Sequence, residues 1–163
     1  MWIKKFTDVN MMKKDIEIRT MKIEDYTEMM VLWKSIKGFR IRAVDDDFEH
    51  IKRFLDRNMG LSVVAVKNNQ IVGTILSGHD GRQASFYHVC VDSKCRGENI
   101  AGKMVKEAIE RVNAEGISKI TLIAFKKNLA GNIFWKSQNW KQNKDINSYE
   151  LVLNEENISS IVA

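Results

Sequence analysis

The sequence predicts an α/β domain built on a mixed sheet flanked by helices. Three observations carry that expectation. Between Leu61 and Asp92 three apolar runs follow one another through short turns, and strands joined by hairpins run antiparallel. From Ala84 to Phe125 a strand, a helix and a second strand follow in turn, which requires a parallel, right-handed crossover. Hydrophobic residues make up 44% of the 163 positions, enough for a buried core.

The elements follow in order. Residues 1–14 read as an N-terminal extension, either a short amphipathic helix carrying Trp2, Ile3, Phe6 and Val9 or a disordered arm, and residues 15–163 as one domain. Ile16 to Arg19 alternates and predicts a first strand. Thr20 to Lys37 predicts a helix with Tyr26, Met29, Met30, Trp33 and Ile36 on one face, stopped by Gly38. The acidic run Asp45-Asp46-Asp47 precedes a second helix that buries Phe48, Ile51, Phe54 and Leu55. Leu61 to Lys67 and Gln70 to Ser77 form a hairpin about Asn68-Asn69. Ala84 to Asp92 is a long central strand. Ile100 to Asn113 has the clearest helical period, with Ile100, Met104, Val105, Ala108, Ile109 and Val112 inward. Lys119 to Phe125 predicts a buried strand, Asn128 to Gln138 a short helix, and Ser148 to Leu153 a last strand. The order is β-α-α-β-β-β-α-β-α-β.

Composition narrows the function classes. The net charge of +5 favours anionic partners, polyphosphates as much as nucleic acid. No basic helix with base-reading residues and no paired aromatic platform is evident, so nucleic acid is not expected. No apolar run has the length of a membrane span, and the N-terminus lacks the pattern of a signal peptide. Cys90 and Cys95 make no disulfide framework and lack zinc spacing; both read as structural, no metal is expected, and a cytoplasmic setting fits.

The most informative stretch runs from Val89 to Gly102. A strand ends, a polar turn with Arg96-Gly97 follows, and a helix opens at Ile100. Small residues at a helix start leave several N–H groups unpaired and pointing one way, an anion site made of main chain. Gly97 to Lys103 also fits the first seven places of a P-loop. The eighth, which should be Ser or Thr for magnesium, is Met104, a poor ligand for a hard cation that the helical face explains as core. The dinucleotide pattern G-x-G-x-x-G is absent.

The run Arg96-Gly97-Glu98-Asn99-Ile100-Ala101 resembles the acyl-coenzyme A signature of the GCN5-related N-acetyltransferases, Arg/Gln-x-x-Gly-x-Gly/Ala. Arg96 and Ala101 match. Asn99 replaces the central Gly, and Asn is the non-Gly residue that best tolerates a left-handed backbone. The element order is that of the family, and Asn128 through Trp140 resembles its second signature. Gly78-His79-Asp80-Gly81-Arg82, Tyr87-His88 and Gly131 to Trp135 resemble a bacterial subgroup of small acetyltransferases.

The resemblance implies transfer of an acetyl group from acetyl-CoA to a primary amine by direct attack. Val89, Cys90 and Val91 would lie along the pantetheine arm, with an N–H near Cys90 or Val91 polarising the thioester. Arg96, Gly97, Glu98, Asn99, Ile100, Ala101 and Gly102 would hold the pyrophosphate. Asn128 would contact the pantetheine or cap the helix. Imidazole is the side chain that titrates near neutrality, which makes His88 the candidate base. Tyr87 is the candidate for positioning the substrate or a relay water. The two would point to opposite faces of the strand, so only one would meet the substrate. The family's usual Tyr acid falls at Trp135, which would pack on the pantetheine or the sheet; Tyr149 is a distant substitute. Asp45-Asp46-Asp47 either attracts a cationic amine or simply opens a helix. A non-catalytic acyl-CoA sensor is the alternative function, the acceptor stays open, and a homodimer through an edge strand Ser148–Leu153 is one possible assembly.

Overall fold

The computed structural model describes residues 15–163. The expectation for residues 1–14 lies outside the described residues. Seven strands and four helices are present among the described residues: β1 (Glu17–Thr20), α1 (Tyr26–Ser35), β2 (Arg40–Arg42), α2 (Phe48–Arg57), β3 (Val63–Lys67), β4 (Gln70–His79), β5 (Ala84–Val91), α3 (Ile100–Ala114), β6 (Ile120–Leu122), α4 (Leu129–Ser137) and β7 (Ser159–Ile161). Five strands form a sheet in the order β1-β3-β4-β5-β6, and β2 pairs with β7 apart from it.

The sheet is mixed, as expected. The β1–β3, β3–β4 and β4–β5 ladders are antiparallel, and β5–β6 is parallel. Asn68 and Asn69 both take positive φ, 53° and 59°, the backbone of a type I′ hairpin whose twist suits the strands it joins. One core layer lies between the sheet and α3, with Val63, Ile75, Phe86, Met104 and Val112 fully or almost fully buried. The other lies under α1 and α2, around Met29, Trp33, Ile51, Val64 and Leu76. Met104 fits against Gly73, where a Cβ would fall 2.7 Å from its terminal methyl. The methionine is therefore core, and the magnesium position of a P-loop does not exist here.

Two expectations are corrected. Ser148 to Leu153 forms no strand; Tyr149, Leu151 and Leu153 stand exposed. Alternation gives a strand only where a paired neighbour and a core face await it, and that segment has neither. The last strand is Ser159–Ile161, antiparallel to β2, so Ser148–Leu153 is no sheet edge on which to build a dimer. The strand expected over Lys119–Phe125 is shorter, Ile120–Leu122, and Ile123 beyond it is exposed. The first long helix begins later than the apolar period suggests, with a 3₁₀ turn over Ile23–Asp25 leading into α1.

That turn is fixed by a bidentate pair. Both nitrogens of the Arg19 guanidinium donate to Asp25 at 2.8 Å, and the Lys22 N–H donates to the same carboxylate at 2.8 Å. Burial pulls the Asp25 carboxyl upward, but the Arg19 and Lys22 bonds overcome it and hold the group below its ordinary range. A carboxyl with a lowered folded pKa stabilises the fold above the unfolded value, about pH 4, and that stabilisation is lost as pH falls through the folded value. Asp25→Asn is expected to cost about 1–3 kcal/mol at pH 7. The deficit should shrink below about pH 4, as urea melts of both proteins across pH 2.5–7 will read.

Candidate active site

The site is built where β5 bends. Thr74 pairs with Cys90 and Leu76 with Tyr87, so two residues of β5, His88 and Val89, oppose the single Ile75 of β4. This is a β-bulge. His88 takes the left-handed backbone, φ 48°, uncommon for any residue other than Gly and rare within a strand. The conformation is secured from beneath. Thr74 Oγ1 donates to the His88 carbonyl at 2.7 Å and accepts from Trp33 Nε1 at 3.0 Å. Trp33 and Thr74 are completely buried.

The bulge corrects the expected geometry of the two candidate residues. Tyr87 meets Phe54 of α2 edge-on at 6.0 Å between ring centroids. His88 packs against Trp33 at 4.5 Å and Phe39 at 4.9 Å. Both belong to the α1/α2 face, because the extra residue cancels the alternation between them. Both also line one cleft of about 1170 Å³, together with Asp46, Val89, Phe125, Asn128 and Trp135 among others.

His88 is not alone. Its Nε2 lies 2.6 Å from Asp46 Oδ1, and Asp46 is buried. A carboxylate can only accept, so the pairing places a proton on Nε2 and leaves Nδ1 as the second ring nitrogen. Asp46 is held in turn by the Arg42 N–H, which donates to Oδ2 at 2.7 Å. The other two acids of the run are also committed. Asp47 caps α2, accepting from the His50 N–H at 2.8 Å, and this bond with that of the His50 ring keeps its carboxyl below the ordinary range. Asp45 accepts from Asn157 Nδ2 at 2.8 Å. All three acids of the run are therefore hydrogen-bonded within the fold, with the Asp45 and Asp47 carboxylates still partly exposed. Asp46 as the partner of His88 was not foreseeable, since the two lie far apart in sequence.

The cleft opens because β5 and β6 part company. Their parallel register runs from Ala84/Ile120 to Phe86/Leu122 and stops. Beyond it, among the described residues, β5 has no strand beside it on that edge. Val89, Cys90 and Val91 lie on the unpaired length, with Val89 in the cleft wall. The Cys90 thiol sits against Thr74 Oγ1 at 3.3 Å, and burial pushes it up to about 12. Cys95 packs on the α3 side of the core.

At the end of β5 the chain makes a 3₁₀ turn, Ser93–Cys95, capped by Asp92. Gly97 (φ 82°) and Asn99 (φ 56°) then adopt left-handed backbones and lead into α3. Asn99 thus does what the glycine of the signature would do. Its side-chain amide lies over Gly102, so close that a Cβ there would collide with it. Among the described residues, no N–H from Arg96 to Gly102 has a hydrogen-bond partner; the first paired one is Lys103, donating to Asn99 O. Glu98, the one acid in the loop, is engaged by Lys67 Nζ at 2.6 and 2.8 Å. The loop is a nest of open donors at the positive end of a helix of 15 residues.

The last two predicted residues sit across the cleft. Asn128 accepts from the Gly131 N–H at 2.9 Å, capping α4, and also lines the cleft. Trp135 stacks into an aromatic group with Phe134 and Trp140, while Phe86 touches Trp140. Indole carries no exchangeable acid at this place. Tyr149 is exposed and outside the cleft lining.

Residues 23–140 match the family model for the acetyltransferase (GNAT) family. The chain belongs to that family. Solved structures agree in fold. An aminoglycoside acetyltransferase from an uncultured soil metagenomic sample, in complex with sisomicin, superposes with a TM-score of 0.68 at 19% identity, over 85% of this chain and 97% of that one. A PaiA N-acetyltransferase from Thermoplasma acidophilum in complex with coenzyme A gives 0.66 at 16% identity, over 76% and 88%. A ribosomal-protein-alanine N-acetyltransferase from Brucella melitensis biovar Abortus 2308 gives 0.64 at 19%, over 86% and 100%. In this GNAT chain the open N–H loop, the parted strands and the His88–Asp46 pair all lie on the stretch that the family model spans.

A thiol held near 12 presents only a small fraction of thiolate at pH 8, and thiolate is the reactive form. Native Cys90 is expected to react with iodoacetamide at least ~100-fold more slowly than in urea-unfolded protein, read by peptide mass mapping against time.

Proposed function

We propose that this protein is an acetyl-CoA-dependent N-acetyltransferase, in which a primary amine attacks the thioester directly. The observation that carries this reading is the opening of β5 from β6 beyond Phe86/Leu122, continuous with the unpaired N–H groups of Arg96 to Gly102. A doubly charged pyrophosphate matches a run of N–H donors at a helix start, and Arg96 adds a cation at its edge. An extended pantetheine arm matches a strand edge that has lost its neighbour. Acetyl-CoA supplies the activated carbonyl and a thiol leaving group.

The residues of this chain have the remaining work. The main-chain N–H of Val91 polarises the thioester carbonyl from the free edge of β5, since that of Asp92, one residue on, is turned to β4 and N–H directions alternate along the strand. His88 accepts at Nδ1, directly or through one water, the proton that the substrate ammonium must lose before the amine attacks; the second proton leaves the nitrogen as the tetrahedral intermediate collapses and passes to solvent or to the departing sulfur. Asp46 is a positioning residue: it fixes the tautomer and steadies the imidazolium that forms. As the C–S bond breaks, the sulfur leaves as thiolate and takes a proton from solvent or from Tyr87, which stands half-exposed in the same cleft. Thiols have ordinary pKa values near ~8.5, so departure needs no strong acid, consistent with Trp135 in the place of a tyrosine. A non-catalytic acyl-CoA binder would share the cofactor half of this geometry, and that indole is the feature favouring it; release of free thiol with a panel of amines separates the two.

Thermal shift and steady-state kinetics test the reading. Acetyl-CoA is expected to raise the melting temperature where ATP with magnesium does not. Asn99→Glu should abolish that rise, by setting a carboxylate beside the diphosphate; an undiminished rise would count against this loop. His88→Gln is expected to lower kcat by 10²-fold or more with little change in KM for acetyl-CoA. Asp46→Asn should flatten or displace the acid limb of the pH–rate profile, which a merely structural role would leave in place.

A further inference from the structure

The wall of the cleft facing α2 and β2 carries charge that the fold does not use. Of the acids lining it, Asp46 is bound by His88 and the Arg42 N–H, Asp45 by Asn157, and Glu150 lies 3.5 Å from the Arg42 guanidinium. Every lining carboxylate thus has a partner. Of the lining arginines, Arg42 is paired in this way and, among the described residues, the other three are not. Arg40, Arg53 and Arg57 face the cleft, and among the described residues none forms an ion pair with a carboxylate.

Their placement is ordered. Arg53 and Arg57 lie four residues apart on α2, on one helical face, on either side of the turn whose Phe54 touches Tyr87. Arg40 comes from β2, and its guanidinium carbon rests 4.3 Å above the Phe125 ring, beside the parted strands. That stacking fixes the plane of the fork. The Arg40 Nε is out of water and has no hydrogen-bond partner among the described residues. A buried donor without an acceptor is a place where a ligand oxygen replaces a missing bond.

We infer that the acceptor amine carries an anionic group, a carboxylate or a phosphate, which Arg53 and Arg57 attract and Arg40 helps to bind while the amine lies toward His88. The inference rests on the acetyltransferase reading and adds the acceptor's charge to it. It runs opposite to what Asp45-Asp46-Asp47 suggests in the sequence: each of those acids already has a hydrogen-bond partner in the fold, whereas among the described residues no carboxylate pairs with Arg40, Arg53 or Arg57. A polyamine would meet uncompensated positive charge on this wall; an amino acid or an amine phosphate ester would meet complementary forks.

The test presents each amine with and without its anion: alanine against alaninamide, phosphoethanolamine against ethanolamine, and spermidine as the cationic probe. Free thiol release from acetyl-CoA is followed for the full-length protein. The inference expects kcat/KM at least ~10-fold higher for the anionic member of one pair, and which pair responds separates carboxylate from phosphate. In the double variant Arg53→Ala/Arg57→Ala, on an exposed helix face, the preference should collapse through a ~10-fold or greater rise in KM for the anionic amine. The KM for acetyl-CoA and the thermal shift it causes should not move; the double lysine variant should restore part of the preference. Equal or better use of alaninamide, ethanolamine or spermidine, or a preference that survives the alanine pair, overturns the inference. Absence of any acetyl-CoA thermal shift in the wild type would instead remove the acetyltransferase reading. Calorimetric titration of phosphoethanolamine and alanine into the free protein then decides the arginine set alone: binding weakened ~10-fold in the double variant sustains it, and no binding or unchanged binding rejects it.

Discussion

One side-chain hydroxyl governs the direction of the central strand. Thr74 Oγ1 accepts a hydrogen bond from the Trp33 indole and donates one to the His88 carbonyl, in a fully buried position. That chain of bonds keeps His88 in a left-handed backbone in the middle of a strand, where an L-residue is strained. A strand in regular alternation would set Tyr87 and His88 toward opposite layers. In the bulge the two side chains share one layer and one cleft, and imidazole meets the buried Asp46 carboxylate. The strain is placed where chemistry is proposed, and the packing of α1 against β4 holds it there.

The proposed site would draw on two different kinds of recognition. On the side toward α3, recognition is made of main chain: open amides, two left-handed residues and a helix dipole, none of which needs a particular side chain beyond small size. On the side toward α2 and β2, it is made of side chains with fixed planes and charges. A loop of bare amides suits a ligand common to a whole family, whereas a wall of arginines and aromatics can vary without disturbing it.

How far the sequence could be read follows from this division. The hairpin, the crossover and the helix with Met104 inward are local patterns, and they appear in the structure as their periods require. The loop from Arg96 to Gly102 was legible for the same reason: small residues next to a helix start leave few alternatives, and Asn99 does occupy the left-handed region. The bulge was not legible, because Thr74, Trp33 and His88 come from three separate elements and no period in β5 marks the extra residue. Nor was the pairing of Asp46 with His88, nor the freedom of Arg40, Arg53 and Arg57, since which charges find partners depends on contacts distant in sequence. Ser148 to Leu153 shows the opposite failure: a clean alternation with no neighbouring strand to meet it.

The small ribbon of β2 and β7 joins two ends of the chain's economy. Residues 157–162 hold Gly38 to Asp45 through the Gly38, Phe39, Ala43, Val44 and Asp45 main-chain groups. The segment so clasped carries Arg40, Arg42 and Asp45 and leads directly to Asp46. A pull on the final residues is therefore passed first to β2 and the proposed acceptor wall, and not to the loop from Arg96 to Gly102.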